Sequence, residues 1–349
     1  MSLLPYLHRV ADRQNLSSSE AQEAMHIILA GQATQPQIAG FLVALRMKGE
    51  TVDELVGFAR ALRQMAEPID PGLPGEPLLD TCGTGGDGLS TFNISTVVAF
   101  VVAGAGVRVA KHGNRSISSK CGSADLLEAM GVRIATTPAE CARAIREIGI
   151  GFLFAPAMHT AARHAHPVRV DLKMRTVFNL LGPLTNPAGA TAQLAGAPSP
   201  HFAELIAGAL AALGLERGFV VHGSDGLDEI TTTGPTLAFE IRNGQVERRT
   251  LTPDDFGVPA ASPADLTGGD RERNCAIARE ILDGARGPQR DIVLVNAAAA
   301  LVAAGRAHDF REGVAMAAGA IDSGAALRKV EELARFTQQQ MGFGLLEDR

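Results

Sequence analysis

A glycine-rich turn is the segment of this 349-residue sequence whose composition points most directly to chemistry. Six residues, Gly83-Thr84-Gly85-Gly86-Asp87-Gly88, follow an apolar run at 78–82 that predicts a buried strand. Glycines in such a turn let the backbone approach a phosphate closely, at the edge of a parallel sheet where ligands usually bind. An ordinary strand-to-helix turn has the same pattern, so the turn alone does not establish a phosphate site.

The turn also matches a pattern that binds dinucleotides, because Gly83, Gly85 and Gly88 satisfy G-x-G-x-x-G. Such a site needs a helix that opens directly after the turn and an acidic residue about 20 positions on. Here the next helix is predicted to begin late, near Ser95, and the following strand ends in Lys111, which suits a phosphate rather than a ribose diol. The Gly-Lys-Ser/Thr of a Walker loop is absent as well, so neither nucleotide motif explains the turn.

Two later segments place further anion-binding groups at strand ends or helix starts. Residues 93–96 open an apolar helix, where backbone N–H groups and the helix dipole favour an anion, although Ser95 alone would be an ordinary N-cap. Residues 109–119 place two cations, an amide and three hydroxyls after a predicted strand, and Ser123 then opens another helix. This concentration of donors suits a ligand that carries several phosphates.

Two regions supply acidic and basic side chains. Asp228 and Glu229 follow a predicted strand at 218–221 and can hold Mg²⁺ against phosphate oxygens, a solvated acidic turn being the alternative. Residues 158–169 are rich in His and Arg but contain no HExxH motif and no Cys, which favours a lining for an anionic aromatic substrate over zinc. Arg169 is the residue there that we expect to bind a carboxylate bidentately.

The first seventy residues are predicted to be helical, since apolar residues recur at helical spacing without a strand pattern. Three residue pairs fit the capping box that starts a helix: Ser17 with Glu20, Thr34 with Gln37, and Thr51 with Glu54. Prolines and glycines then crowd residues 68–77, which predicts a linker between domains.

Strand and helix patterns alternate after the linker. Apolar runs at 78–82, 107–110, 151–155 and 219–221 predict buried strands, and helical patterns lie at 96–102, 124–130, 139–148 and 202–213. This order predicts an α/β fold with a mainly parallel central sheet. Asn243-Gly244 lies between two strand-like runs and predicts a type I′ hairpin, and an Ala-rich helical tail is expected from Asn274 onward.

Composition excludes several classes of protein. The 32 basic and 38 acidic residues give a net charge of −6, which disfavours nonspecific nucleic-acid binding. No apolar stretch reaches the roughly 18 residues of a membrane span, and the first residues lack the order of a secretory signal. Four cysteines without a CxxC pair favour a reducing compartment. We therefore expect a cytoplasmic protein that binds neither a membrane nor nucleic acid.

Taken together, the motifs resemble those of the anthranilate phosphoribosyltransferases, a tryptophan-pathway family related to the pyrimidine nucleoside phosphorylases. The resemblance covers nearly the whole chain and rests on five ordered motifs, at 83–87, 93–96, 111–115, 178–187 and 226–229. It implies transfer of the 5-phosphoribosyl group of phosphoribosyl pyrophosphate to the amine of anthranilate, with release of pyrophosphate. Cys82 departs from the family pattern, which leads us to expect a small apolar residue such as Val.

The resemblance also implies a role for each matching residue. Anthranilate would be bound by Gly83, Asn114 and Arg169, with Arg169 facing its carboxylate, and Mg²⁺ by Ser95, Asp228 and Glu229. No residue is expected to be an obligatory general base, because the aromatic amine is already neutral at pH 7. Phosphoribosyl pyrophosphate would be bound by Gly83, Gly86, Asp87, Thr91, Asn93, Ile94, Ser95, Thr96, Lys111, His112, Gly113, Asn114, Arg115, Ser116, Ile117, Ser118, Ser119 and Ser123.

For the architecture, the resemblance implies a small all-helical domain at 1–72, to which part of 166–187 returns, and a larger α/β domain at 73–165 and 188–349. It also implies a homodimer joined through the helical domain. Two alternatives stay open at this point. A related phosphoribosyltransferase with another aromatic acceptor would share the donor motifs, and a noncatalytic nucleic-acid-binding relative would have a basic groove and lack the metal carboxylates. A pyrimidine nucleoside phosphorylase is disfavoured, because it would bind free phosphate and need no Asp-Glu pair.

Overall fold

Four helices form the N-terminal part of the computed structural model, which describes residues 2–86, 88–116 and 120–339. They are α1 (Leu4–Ala11), α2 (Ser18–Leu29), α3 (Gln35–Lys48) and α4 (Val52–Met65). The three predicted capping boxes are present at the starts of α2, α3 and α4. In the last of them the Glu54 N–H donates to Thr51 Oγ1 at 3.3 Å, while the Thr51 N–H donates to a Glu54 carboxylate oxygen at 2.9 Å.

The Glu54 carboxylate is wholly buried and also ties two neighbouring segments to α4. It accepts the Leu16 N–H at 2.9 Å and forms an ion pair with Lys48 at 2.9 Å. The two side chains of this pair are 0% and 3% exposed, so the pair stands inside the helical core. The capping residue of one helix thereby fixes the ends of α2 and α3 as well.

A seven-stranded sheet forms the centre of the larger domain, with the order β3-β2-β1-β4-β5-β6-β7. Its strands are β1 (Leu78–Asp80), β2 (Arg108–Gly113), β3 (Ile150–Phe154), β4 (Ala192–Gly196), β5 (Arg217–Gly223), β6 (Thr236–Arg242) and β7 (Gln245–Leu251). Strands β1 to β5 are parallel to one another, and β6 pairs antiparallel with both β5 and β7. The predicted α/β class with a mainly parallel sheet is confirmed. Asn243 and Gly244 have φ values of 51° and 77°, as the predicted type I′ turn requires.

Helices cover both faces of the sheet, as parallel strands require. They are α5 (Ile94–Gly104), α6 (Ser123–Ala129), α7 (Pro138–Ile148), α8 (Ala155–Met158), α9 (His166–Leu172), α10 (Pro200–Ala212), α11 (Pro253–Phe256), α12 (Arg271–Leu282), α13 (Pro288–Ala303), α14 (Phe310–Asp322) and α15 (Ala325–Gln339). Helices α5 and α13 share one hydrophobic core with the sheet, and α10 belongs to a second core on the other face. Among the described residues, no helix is both long and apolar enough to cross a bilayer.

The second core also contains the N-terminal helices and residues from 165 to 184. Val168 on α9, and Val177 and Phe178 on the following 3-10 turn (Val177–Asn179), lie in this core together with apolar residues of α1 to α4. Helix α3 contacts both α9 and that turn. This packing is consistent with the expected return of part of 166–187 to the helical domain, and the domain limits stay a prediction.

The strand order changes direction between β1 and β4. The chain leaves β1 through α5 on one face and continues to β2, whereas it leaves β4 through α10 on the other face and continues to β5. Loops that diverge in this way leave a crevice outside the carboxyl ends of the two strands, where open α/β sheets usually bind their ligands.

Candidate active site

Three loops meet at the crevice between β1 and β4. The Thr84 N–H donates to the Gly196 carbonyl at 3.0 Å, which joins the loop after β1 to the end of β4. The Gly85 N–H donates to Asp228 Oδ2 at 2.8 Å, which brings in the loop after β5. The glycine turn and the predicted metal carboxylate are 143 residues apart in sequence, yet they lie in direct contact.

Gly196 permits this contact because it has no side chain. A Cβ built on Gly196 would lie 1.5 Å from the Asp228 carbonyl oxygen and 3.1 Å from the Asp228 Cβ. Only glycine allows the backbone after β5 to approach β4 this closely. Sequence reasoning missed Gly196, since its short strand was not predicted separately and a single glycine there has no distinguishing signal.

The start of α5 faces the second acidic residue of the same loop. The Ser95 N–H donates to Glu229 Oε1 at 3.1 Å, and the Ser95 carbonyl accepts the Thr81 hydroxyl at 2.9 Å. A carboxylate at a helix N-terminus interacts favourably with the helix dipole. The three residues predicted to bind metal, Ser95, Asp228 and Glu229, are therefore brought to one edge of the sheet by two separate loops.

This donor set fits Mg²⁺, which prefers carboxylate and hydroxyl oxygens and retains several of its waters. Both carboxylates are only half-buried, so solvent and a phosphate ligand can reach this edge. Asp87 lies outside the described residues, as do Ile117, Ser118 and Ser119, and their predicted roles in donor binding are not tested.

Lys111 is buried beside the end of β1, just before the glycine turn. It is 4% exposed, and its Nζ donates to the Thr81 carbonyl at 2.7 Å. Buried Asp80 lies beside it and accepts the His112 N–H at 3.1 Å and the Asn186 Nδ2 amide at 2.8 Å. Burial raises the pKa of Asp80 to about 6, although the nearby Lys111 charge lowers it. In this structure Lys111 binds the Thr81 carbonyl at the end of β1, and its contact with phosphate stays a prediction.

Asp80, Cys82 and His112 form a compact buried group whose possible ligand atoms lie within 4.8 Å of one another. Their environment opposes a metal ion, because both Asp80 oxygens already accept hydrogen bonds and the Lys111 ammonium group is adjacent. Burial also raises the pKa of the Cys82 thiol far above its usual value, which keeps it protonated. The group is therefore a structural support for the turn.

Two buried histidines meet edge to face near the end of β2. The rings of His112 and His159 are 5.2 Å apart, and His112 Nδ1 lies 3.1 Å from the Gly182 carbonyl. Burial lowers the pKa of His112 to about 3 and that of His159 to about 4. Both rings are consequently neutral at pH 7 and are weak bases. The expectation that no residue is an obligatory general base stays a prediction.

The loop after β2 is closed by Ser123 at the start of α6. The Asn114 N–H donates to Ser123 Oγ at 3.1 Å, and the same hydroxyl lies 3.1 Å from the Asn114 carbonyl. Arg115 forms ion pairs with Asp125 at 2.7 Å and Glu128 at 2.8 Å. Among the described ligands predicted for this loop, Asn114, Arg115 and Ser123 therefore lie together near the start of α6, and the Arg115 charge is already matched by two carboxylates.

Asn93 is held by residues on both sides of the α5 start. Its Nδ2 donates to the Cys121 carbonyl at 3.0 Å, and its Oδ1 accepts the Asn274 Nδ2 at 3.1 Å. Nearby, Thr91 pairs with Thr267 in an isolated β-bridge. Asn274 supports Asn93, and Thr267 supports Thr91, two residues that are predicted to bind phosphoribosyl pyrophosphate. Each pair is more than 170 positions apart in sequence, so local sequence patterns could not have predicted these contacts.

The remaining predicted ligands are placed as follows. Ile94 and Thr96 are buried, and Gly113 packs so closely on Phe152 that an added Cβ would lie 2.6 Å from its ring. Arg169 lies over the Phe178 ring at 5.0 Å, and burial lowers the pKa of its guanidinium. Within the described part of the chain, Arg169 makes no hydrogen bond to Gly83 or Asn114, so the predicted anthranilate ligands are not joined by hydrogen bonds to Arg169 and their shared role stays a prediction.

Two family models cover most of the chain. The model described as "Glycosyl transferase family, a/b domain" matches residues 75–327, and "Glycosyl transferase family, helical bundle domain" matches residues 4–66. Among curated proteins, the anthranilate phosphoribosyltransferase of Solibacter usitatus is 73% identical, over 96% of this chain and 99% of its own length. That of Moorella thermoacetica is 54% identical, over 95% and 97%.

Solved structures agree with these sequence relatives. The anthranilate phosphoribosyltransferase of Thermus thermophilus has a TM-score of 0.90 and 44% identity, covering 95% of this chain and 99% of that one. The Saccharomyces cerevisiae enzyme in complex with phosphoribosyl pyrophosphate and Mg has a TM-score of 0.87 and 28% identity, covering 97% and 98%. The chain therefore belongs to this glycosyl transferase family and, within it, to the anthranilate phosphoribosyltransferases.

Proposed function

We propose that this chain transfers the 5-phosphoribosyl group of phosphoribosyl pyrophosphate to the amine of anthranilate and releases pyrophosphate. This reaction is the second step of tryptophan synthesis from chorismate. The observation that carries the proposal is the contact of the glycine turn with Asp228, beside the Ser95–Glu229 contact at the start of α5. A phosphate-binding turn, a helix N-terminus and two carboxylates at one sheet edge are what a magnesium-bound diphosphate requires.

The relatives support the identity of both substrates. One S. cerevisiae structure is a complex with phosphoribosyl pyrophosphate and Mg, and another is a complex with 4-fluoroanthranilate. By this likeness we assign the donor to the predicted residues of the glycine turn, the α5 start and the loop after β2. We assign Mg²⁺ to Ser95, Asp228 and Glu229, and anthranilate to Gly83, Asn114 and Arg169.

Loss of pyrophosphate leaves negative charge on the leaving group and positive character on the ribose. When bound, Mg²⁺ would neutralise part of the leaving-group charge. The dipole of α5 and the backbone of the glycine turn face the same edge and add fixed positive potential there. Asp228 and Glu229 hold these elements in register through the N–H groups of Gly85 and Ser95.

The amine of anthranilate is neutral at pH 7 and needs no strong base, so positioning supplies most of the acceleration. The neutral, buried state of His112 and His159 agrees with this view. Replacing either histidine by Ala should lower kcat at saturating substrates by less than about 10⁴-fold, the upper range of acid–base catalysis. A larger loss in a folded variant would assign one of them an obligatory role.

The direct test mixes the chain with Mg²⁺, phosphoribosyl pyrophosphate and anthranilate, and follows the loss of anthranilate fluorescence. The change Asp228→Asn keeps the shape of the side chain and removes its charge, and should lower kcat/KM about 100-fold or more. Asp12→Asn, at an exposed position after α1, is the matched control and should behave as the unmodified chain. No fluorescence loss with the unmodified chain would refute the proposal.

Two further arms separate the alternatives. Aniline lacks the carboxylate of anthranilate and should be a much poorer acceptor; equal use of both would point to another acceptor. A gel-shift assay should show no retention of nucleic acid, since the net charge is −6 and both metal carboxylates are present.

We further propose that the protein is cytoplasmic and forms a homodimer joined through the helical domain. Sedimentation equilibrium tests the dimer.

A further inference from the structure

Arg175 contacts the glycine turn from a segment that packs with the helical domain. Its Nη1 donates to the Gly85 carbonyl at 2.8 Å, across 90 residues of sequence. Its backbone carbonyl in turn accepts a hydrogen bond from Arg46 Nη1 at the end of α3. Val177 and Phe178, two and three residues further along the chain, lie in the core shared with the N-terminal helices. Arg175 thus connects the helical domain to the turn predicted to bind the diphosphate.

The guanidinium lies directly against the following residue of the turn. A Cβ built on Gly86 would lie 1.5 Å from Arg175 Nη1, and Gly86 has a φ of 77°. Both the close approach and the left-handed backbone favour glycine at this position. The position of the Arg175 guanidinium therefore requires a residue without a side chain at position 86.

The contact determines how one peptide group of the turn is oriented. The Gly85 carbonyl and the Gly86 N–H belong to the same planar trans peptide, so they point in opposite directions. Because Arg175 holds the carbonyl, the Gly86 N–H is directed away from the guanidinium. The Gly85 N–H is held by Asp228 at 2.8 Å, so the peptides on both sides of Gly85 are fixed.

We infer that Arg175 is a positioning residue that orients the glycine turn for binding of the phosphoribosyl pyrophosphate diphosphate. This inference rests on the proposed function and assigns Arg175 a role within it. A glycine-rich turn without this restraint samples many conformations, and binding must then supply the cost of ordering it. Arg46 contributes indirectly, because it holds the Arg175 backbone in place.

The test measures donor binding by calorimetry, with Mg²⁺ present, together with separate KM values for the two substrates. Arg175→Gln should raise both the Kd and the KM of phosphoribosyl pyrophosphate about tenfold, since a hydrogen bond from a charged donor is lost. The KM of anthranilate should rise by a clearly smaller factor, about twofold, because only Gly83 of the predicted acceptor ligands lies in this turn, whereas Asn114 and Arg169 lie on other segments. Arg175→Lys retains a cationic donor and should restore part of the donor affinity.

Two further variants complete the test. Arg46→Gln removes the hydrogen bond to the Arg175 carbonyl and should raise the Kd of phosphoribosyl pyrophosphate by a smaller factor than Arg175→Gln does. Arg60→Gln, the same substitution at an exposed position of α4, should leave Kd and both KM values unchanged. Melting temperatures of all variants identify any loss caused by unfolding.

The possible results separate this inference from the proposed function. Normal donor binding by Arg175→Gln, with normal binding by the unmodified chain, would overturn the inference alone. An equal rise in both KM values would also overturn it, because a general structural defect affects both substrates. Failure of the unmodified chain to bind the donor at all would overturn the proposed function and the inference together.

Discussion

The change Gly196→Ala places a single methyl group between β4 and the loop that carries Asp228. The added Cβ would lie 1.5 Å from the Asp228 carbonyl oxygen, whereas real Cβ contacts essentially never fall below 3.0 Å. The loop must therefore move by about 1.5 Å or more relative to β4. The φ of Gly196 is not positive, so alanine fits the local backbone and the collision with the loop is the main perturbation.

The size of the effect follows from this displacement. A misplacement of about 1 Å in a positioned catalytic group costs on the order of 100-fold in rate. Because the moving backbone carries Asp228 and Glu229, both predicted metal ligands shift together. We expect kcat/KM of Gly196→Ala to fall at least about 100-fold, which corresponds to about 2.7 kcal/mol of transition-state stabilisation.

The assay is the loss of anthranilate fluorescence at varied phosphoribosyl pyrophosphate and Mg²⁺. Gly319→Ala is the matched control, because Gly319 lies on helix α14 and an added Cβ there meets nothing within 4 Å. That control should retain full activity and gain up to about 1 kcal/mol of stability, since alanine favours the helix. Circular dichroism spectra and melting curves of Gly196→Ala test whether the variant is folded.

A folded Gly196→Ala variant with near-normal kcat/KM would refute the argument that glycine is needed at position 196 because the Asp228 backbone lies so close to it. Should the variant fail to fold, Asp228→Asn tests the same loop without a steric change. In that case a normal kcat/KM for Asp228→Asn would remove this carboxylate from the site.

Three further predictions concern other parts of the molecule. Arg169→Ala should raise the KM of anthranilate far more than that of the donor, because only the acceptor has a carboxylate for it to bind; equal changes would remove Arg169 from this role. Burial lowers the pKa of His159 from 6.5 to about 4 in the folded chain. Between these pH values the unfolded chain binds more protons than the folded chain, so the free energy of unfolding falls as the pH falls from 6.5 to about 4. The melting temperature of the unmodified chain should therefore drop between pH 6.5 and pH 4 by more than that of His159→Gln, and parallel curves would contradict the assignment. Lys48→Met leaves the buried Glu54 carboxylate unpaired and should cost about 3–5 kcal/mol in urea unfolding, whereas Lys329→Met, in a more exposed pair, should cost less than about 1 kcal/mol. Similar losses in the two lysine variants would show that burial of the first pair has no special weight.

Local patterns in the sequence were sufficient for the elements whose signals lie within a few residues. The capping box at Thr51 and Glu54 depends on residues three apart, and the Asn243-Gly244 turn depends on two adjacent residues. The glycine turn after β1 is recognisable for the same reason, because its backbone requirements are local. The family resemblance then supplied the order of the motifs along the chain, and the comparisons confirm it.

Other features were not predictable, because they depend on contacts between distant segments. The short strand β4, buried at every position, has no alternation that marks it as a strand, yet its place beside β1 creates the crevice. Asn274 and Arg175 support the site from α12 and from the segment at 166–187, and neither has a local signal.

The sequence by itself determined the α/β class, the helical start of the chain, the hairpin and the set of candidate ligands, since these follow from periodicity, turn chemistry and matching motifs. Only the tertiary structure decided that Gly85 contacts Asp228 and Arg175, and that Lys111 is buried and bound to the Thr81 carbonyl. The physical reason is that a hydrogen bond between loops depends on strand order and on the space left by residues such as Gly196, and both arise when the whole sheet is assembled.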